Sequence, residues 1–229
     1  MIESVNVIGA RGRVGSAVAA RLAERGIPLR EREAGLVLLC VPDRVIAEVA
    51  SEIEPGPWVA HVSGGTPLAA LDPHERRFSL HPLQTFTHGR GSEQLDGAWA
   101  AVTGETDEAL DVANELAAAL GLRPFPLADD RRALYHAGAA IASNYLVTLR
   151  RVAGELLAEA DAPPEALDPL MRRVIENGFQ LTGPIERGDW ETVERHRAAI
   201  AESAPHLLAA YDELARLTSS NGLLQEAPL

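Results

Sequence analysis

The sequence contains no lysine, so all 21 of its Lys-plus-Arg residues are arginines. A lysine base or Schiff-base lysine is thereby excluded, and cationic recognition falls to guanidinium groups. Positive charge is scarce as a whole, with a formal net charge of −12 and a pI near 5.0. Nucleic acid and anionic membrane surfaces demand a basic footprint, so neither is an expected partner. Cysteine is almost absent. The one present, Cys40, lies in the apolar run Leu36-Val37-Leu38-Leu39-Cys40-Val41 and reads as a small buried hydrophobe, which leaves no disulfide and no thiolate metal site. No apolar stretch approaches the roughly 20 residues that span a bilayer. The opening Met1-Ile2-Glu3-Ser4 carries no basic segment followed by an apolar one. The expected location is the cytoplasm.

The residues that are present alternate between two periods. Val5-Asn6-Val7-Ile8 is a short β-prone run ending in glycine, and Val14, Val18 and Leu22 then recur at helical spacing until Gly26 closes the helix. Ile27-Pro28-Leu29-Arg30 reads as a second short strand, and the run from Leu36 as a central strand buried on both faces. Helix is expected over 44–53, strands over 58–62, 78–80 and 98–102, and an amphipathic helix over 106–120 closed by Gly121. Such alternation predicts an α/β fold, an open Rossmann-type parallel sheet. From Leu127 to Leu217 nearly everything reads at helical period, broken at Asp161-Ala162-Pro163-Pro164, at Gly183-Pro184 and near Pro205. The expected organisation is a dinucleotide-binding domain over 1–128, a smaller all-helical substrate and dimerisation domain over 129–220, and a flexible tail over 221–229.

Glycines at intervals of three occupy Gly9-Ala10-Arg11-Gly12-Arg13-Val14-Gly15, between a strand and a helix. There the chain must turn tightly, approach a pyrophosphate and present free helix N-terminal amides to it. Residues Gly9, Ala10, Arg11, Gly12, Arg13 and Val14 are the candidate phosphate cradle, and a tight turn without ligand is the plainer alternative. Val41 and Pro42, after the central strand, are further cofactor candidates. At the end of the second strand, Arg30-Glu31-Arg32-Glu33 places Arg30 and Arg32 where a 2′-phosphate is met, favouring NADP over NAD. Only residues 31–35 separate that strand from Leu36, which leaves no room for the usual intervening helix.

Three later segments carry a family resemblance: Ser79-Leu80-His81-Pro82-Leu83-Gln84-Thr85-Phe86; Leu134-Tyr135-His136-Ala137 with Ala142-Ser143-Asn144-Tyr145-Leu146; and Thr182-Gly183-Pro184-Ile185-Glu186-Arg187-Gly188-Asp189 with His196. Together they resemble Rossmann-like proteins carrying the helical domain of unknown function 2520. That group is similar in plan to ketopantoate reductases, pyrroline-5-carboxylate reductases and the 6-phosphogluconate dehydrogenase class. The resemblance spans nearly the whole chain and implies an NADP-dependent oxidoreductase plan without naming a substrate. Two features depart from the family: the glycine turn has one more residue between its first two glycines, and the helix after the second strand is missing.

His136, Ala140 and Asn144 follow one another at spacings of four and would share a helix face. In ketopantoate reductase-like enzymes such a helix presents a lysine and asparagines to the nicotinamide; here His136 stands in the lysine-like place. An imidazole can protonate a carbonyl or imine as hydride arrives, and Asn144 would orient the substrate. The alternative is a histidine and an asparagine that merely satisfy a helix interface. His81, with Gln84, would line the substrate cleft or be a structural histidine beside proline. Ser63-Gly64-Gly65 offers small side chains to a nicotinamide or carboxylate, or is an ordinary turn. Arg187 could clamp a carboxylate or pair with Asp189, and Asn177 is a further substrate contact. Leu146, Leu149, Val152 and Leu156 read as core or dimer interface. His61, His81 and His88 lack convincing zinc spacing, so no metal is expected. Two functions compete: an NADP-dependent oxidoreductase acting on a small anionic oxo acid or imine, as a homodimer, and a non-catalytic anion- or nucleotide-binding protein with a degenerate cofactor site.

Overall fold

The computed structural model describes residues 2–219; the tail expected over 221–229 lies outside them. It divides into two compact units, Met1–Ser143 and Asn144–Leu229.

The first unit is built on a six-stranded sheet in the order β1-β2-β3-β4-β5-β6. Its strands are β1 (Val5–Ile8), β2 (Leu36–Leu39), β3 (Trp58–His61), β4 (Arg77–Pro82), β5 (Trp99–Gly104) and β6 (Arg123–Pro126). Helices α1 (Arg13–Glu24), α2 (Ile46–Ser51), α3 (Asp107–Leu120) and α4 (Arg132–Ala140) accompany them. Successive side chains of β2 serve opposite faces, as a strand's period of two requires. Leu36 and Leu38 join Val18 and Leu22 of α1, Leu116 and Leu120 of α3 and Phe78 of β4. Val37 and Leu39 join Ile46, Ala50, Val59, Leu68 and Leu71 on the other side. Burial on both faces explains the unbroken apolar run.

Three details differ from the sequence reading. The strand expected over 27–30 is reduced to a single parallel bridge, Val5 with Leu29. It forms on the outer side of β1, where the Val5 amide donates to Pro28 O and the Arg30 amide to Val5 O, each at 3.0 Å. Residues 31–35 then turn without a helix, and Leu36 returns to pair with Val5 from the other side. The sheet is also not wholly parallel: β5 runs antiparallel to β4, while the other pairings are parallel. Between β4 and β5 the chain makes only a 3-10 turn, Ser92–Leu95, and without a crossover helix it re-enters the sheet reversed. Finally, β6 holds Pro124 and Pro126, residues that a strand tolerates at a sheet edge.

Helix α3 shows how local chemistry sets a boundary. Thr106 precedes it and its side chain accepts from the Ala109 amide, and Gly121 ends it at φ 76°. Thr106→Ala should lower stability by about 1 kcal/mol, the usual worth of such a cap, read as a shift of the urea midpoint at unchanged m-value.

In the second unit, α5 (Leu146–Glu159), α6 (Leu167–Glu176), α7 (Trp190–Ser203) and α8 (Leu208–Thr218) follow the helical expectation. The small core is Ile200, Ala204 and Leu207, with Val152, Leu156, Leu208 and Tyr211 packed against it. The stripe on α5 therefore splits: Val152 and Leu156 are core, whereas Leu146 and Leu149 stay exposed. Among the described residues no helix is long and apolar enough to cross a membrane.

Candidate functional site

The carboxyl ends of β1–β4, which run parallel, share one edge of the sheet, the edge where open α/β sheets bind ligands. The glycine turn follows β1. Gly9 has φ +91°, and a Cβ there would meet Cys40 O at 2.3 Å and the Val41 side chain at 3.4 Å. A Cβ on Gly15 would stand 2.2 Å from Gly9 O. Each glycine is thus demanded by backbone that cannot give way. Gly12 caps α1 with no side-chain hydrogen bond, so the first-turn amides keep their anion-binding capacity. Arg11 and Arg13 are exposed beside the turn, as is Ala10, while Val14 is half-buried. This is a cradle that fits a pyrophosphate. Gly9→Ala combines a left-handed backbone with a backbone clash and should cost about 3 kcal/mol or more; a urea midpoint within error of the parent would contradict this reading of the turn.

Beyond Val41 and the exposed Pro42, the row continues through hydrogen bonds. The Ser63 hydroxyl bridges Asp43 Oδ2 and Thr66 Oγ1, both at 2.8 Å, and accepts from the Thr66 amide at 3.0 Å. Ser63 is buried, and its hydroxyl is a loop staple joining the ends of β2 and β3. A Cβ on Gly64 would meet His136 Cδ2, His81 Cε1 and His81 Nε2, each at 2.9 Å, and one on Gly65 would meet His136 Nδ1 at 3.2 Å. The glycine pair makes room for two imidazoles.

His81 and His136 come together on that pair, with ring centroids 6.1 Å apart at 89°. His136 is exposed on α4 and His81 half-buried at the end of β4. The Tyr135 hydroxyl lies 2.7 Å from His81 Nδ1. Beneath them Arg132 is 1% exposed. It donates to Ser79 Oγ at 2.7 Å, Thr103 Oγ1 at 2.9 Å and Ser63 O at 2.6 Å, while its nearest carboxylate, Asp129, is 3.8 Å from Nε. Its Nε and the Nε2 of buried His61 have no hydrogen-bond partner among the described residues. Burial, with help from Arg132 and His81, lowers His61 to about 3; burial, His136 and Arg132 lower His81 to about 4. Burial also raises the Cys40 thiol to about 12. Asp43, His61, Arg132 and Tyr135 are the members of this cluster to which sequence reasoning gave no role in the site.

The other expected site residues lie elsewhere. Gln84 is exposed and its Oε1 accepts from the Thr85 amide at 2.9 Å; it braces its own loop. Arg30 lines a concavity of about 520 Å³ with Ser4, Gly35, Trp58 and Arg76, at the starts of β1–β3. That is the end of the sheet opposite the glycine turn, because the shortened second strand turns back level with Val5. Arg32 lines a groove of about 760 Å³ on the sheet face with Asn6, Ile8, Val37 and Ile53, the face left open where no helix follows residue 30.

In the second unit, Asn144 is exposed within a π-helical turn, Ile141–Tyr145, so the spacing of four does not continue a regular α-helix. Asn177 is the exposed C-cap of α6. Arg187 donates to Thr182 O at 2.5 Å, closing its own loop, and acts on Asp189 only as a nearby charge. Asp189 caps α7, accepting from the Thr192 amide at 3.1 Å and hydroxyl at 2.8 Å. His196 Nδ1 meets the Tyr211 hydroxyl at 2.9 Å. Among the described residues no three His, Cys, Asp or Glu side chains are grouped to hold a metal ion.

No curated protein matches the sequence. A Thermotoga maritima structure superposes with a TM-score of 0.78 at 23% identity, covering 98% of this chain and 100% of that one. A Bacteroides fragilis structure, provisionally named an NADP oxidoreductase, gives 0.77 at 18% identity, covering 96% and 99%. An NADH-preferring ketol-acid reductoisomerase from an uncultured archaeon gives 0.63 at 16%, covering 98% and 91%. At these identities the likeness establishes the Rossmann-like fold. The model of the family described as Domain of unknown function (DUF2520) matches residues 98–218, more than half of the sequence, and the chain belongs to that family.

Proposed function

We propose that the chain is an NADP-dependent oxidoreductase acting on a small anionic oxo acid or imine in the cytoplasm. The observation that carries this is the unbroken row along one sheet edge: a glycine cradle touching Cys40 and Val41, Ser63 tied to Asp43, and two imidazoles seated on Gly64 and Gly65. The names of the structural relatives support the cofactor class, since a Bacteroides fragilis protein is provisionally an NADP oxidoreductase and an Aspergillus terreus reductive aminase was solved with NADPH. A bound dihydronicotinamide would supply hydride. The amides of Arg13 and Val14 would hold its pyrophosphate, with the Gly12 amide spent on Gly9 O at 2.9 Å inside the turn, and His136 would deliver the proton. With Arg30 at the opposite end of the sheet, Arg11 and Arg13 are the cations proposed to favour NADP over NAD. Asn144, Asn177 and Arg187 remain proposed substrate contacts on sequence grounds alone.

The second unit exposes Val147, Leu170, Ile175 and Phe179, the first and last 71% and 70% accessible. Apolar surface of this kind marks an interaction site, and its proposed partner is a second copy of the chain. A monomer by light scattering at micromolar concentration would contradict that part of the reading.

A competing reading, an anion- or nucleotide-binding protein without catalysis, draws on the missing helix after residue 30. A thermal-shift comparison separates the two, because ligand binding to the folded state alone raises the melting point by mass action. NADPH, and NADH less strongly, should raise it; stabilisation by adenine nucleotides or sulfate with no response to NADPH would favour the competitor.

A further inference from the structure

The geometry points to Tyr135 as a positioning residue that holds His81 in its Nε2–H tautomer, making His81 a neutral hydrogen-bond donor to a substrate carbonyl oxygen. This rests on the oxidoreductase reading and narrows its substrate to an oxo compound. The Tyr135 hydroxyl is 2.7 Å from His81 Nδ1, with the rings edge to face at 5.5 Å. Burial raises that hydroxyl to about 12, so it keeps its proton. His81 Nδ1 is the hydroxyl's hydrogen-bond partner among the described residues. With the hydroxyl as donor in this pair, Nδ1 accepts and the imidazole's own proton stands on Nε2.

Nε2 lies over Gly64 beside the His136 ring. The charged groups acting on His81 are His136 and Arg132, which oppose its protonation, and Asp43, which favours it. A neutral N–H suits an oxygen that gains negative charge. Were a bound reduced nicotinamide to supply hydride to the carbonyl carbon, the C–O π pair would move onto oxygen, where Nε2–H would stabilise it. A proton from the imidazolium form of His136 would then bond to that oxygen, giving the alcohol; the two electrons would come from the reductant's hydride, and His136 would regain its proton from solvent. An iminium substrate would arrive already protonated and positive. The buried Arg132 guanidinium and the N–H donor both oppose it.

The test is long-range ¹H–¹⁵N spectroscopy of protein labelled at histidine, without cofactor, with His81 assigned from His81→Asn or, if that variant does not fold, His81→Gln. The expected spectrum shows a neutral Nε2–H ring at pH 7, a mixture of tautomers in Tyr135→Phe, and a shift of the Nε2–H signal on adding oxamate, an isostere of a 2-oxo acid. An Nδ1–H ring, an imidazolium, an unchanged tautomer in Tyr135→Phe or a signal unmoved by oxamate would overturn the inference. Failure of the broader reading shows separately, as no melting-point response to NADPH.

Discussion

Lowering the pH from 6.5 to about 4 is expected to remove on the order of 4 kcal/mol of stability from the first unit. His61 and His81 have folded-state values of about 3 and about 4 against an ordinary 6.5. Between those limits the unfolded chain takes up protons that the folded one refuses, so stability rises with pH across this window. It is fully present above 6.5 and lost as pH falls toward the folded values. The two contributions overlap, since each ring is kept neutral partly by the same guanidinium, Arg132. Set against a typical total of about 5–15 kcal/mol, a loss of this size brings the unit close to acid unfolding near pH 4. Urea midpoints measured at intervals down this range should fall steeply in the parent. They should fall less in His61→Asn, where the amide oxygen can replace Nδ1 as acceptor for the Ser63 amide, 3.2 Å away in the parent. Parallel curves for the two proteins would mean that burial of His61 has little to do with acid sensitivity.

Replacing His136 by alanine should lower turnover by about 10²–10⁴-fold, the range general acid catalysis contributes, while leaving the NADPH melting-point shift intact. The proposal puts this ring on the substrate side of Gly64 and Gly65, away from the glycine turn that would hold phosphate. Its side chain is exposed, so its removal opens no buried cavity. Loss of cofactor affinity together with activity would make His136 part of the binding surface, and unchanged turnover would remove it from the chemistry.

Much of the fold was legible because its signals are local. The run from Leu36 is apolar on both faces, Thr106 and Gly121 bracket α3, and Gly9, Gly12 and Gly15 sit where strand passes to helix. What stayed hidden depends on partners distant in sequence. Arg132 reads as one more surface arginine until Ser79 of β4, Thr103 of β5 and the carbonyl of Ser63 in the loop after β3 converge on it. Tyr135 is 54 residues from the histidine it bonds. The small size of Gly64 was visible, but not that two imidazoles occupy the space it leaves. Arg30 misled for a similar reason: a second strand of normal length would have carried it to the cradle, and this one forms a single bridge and turns back.

Where NADPH binds is decided by a crystal structure of the protein soaked with it. The expected density places the pyrophosphate on the amides after Gly12 and the nicotinamide near His136. Density instead in the concavity beside Arg30 and Arg76, or a glycine turn filled by the protein's own side chains, would contradict it.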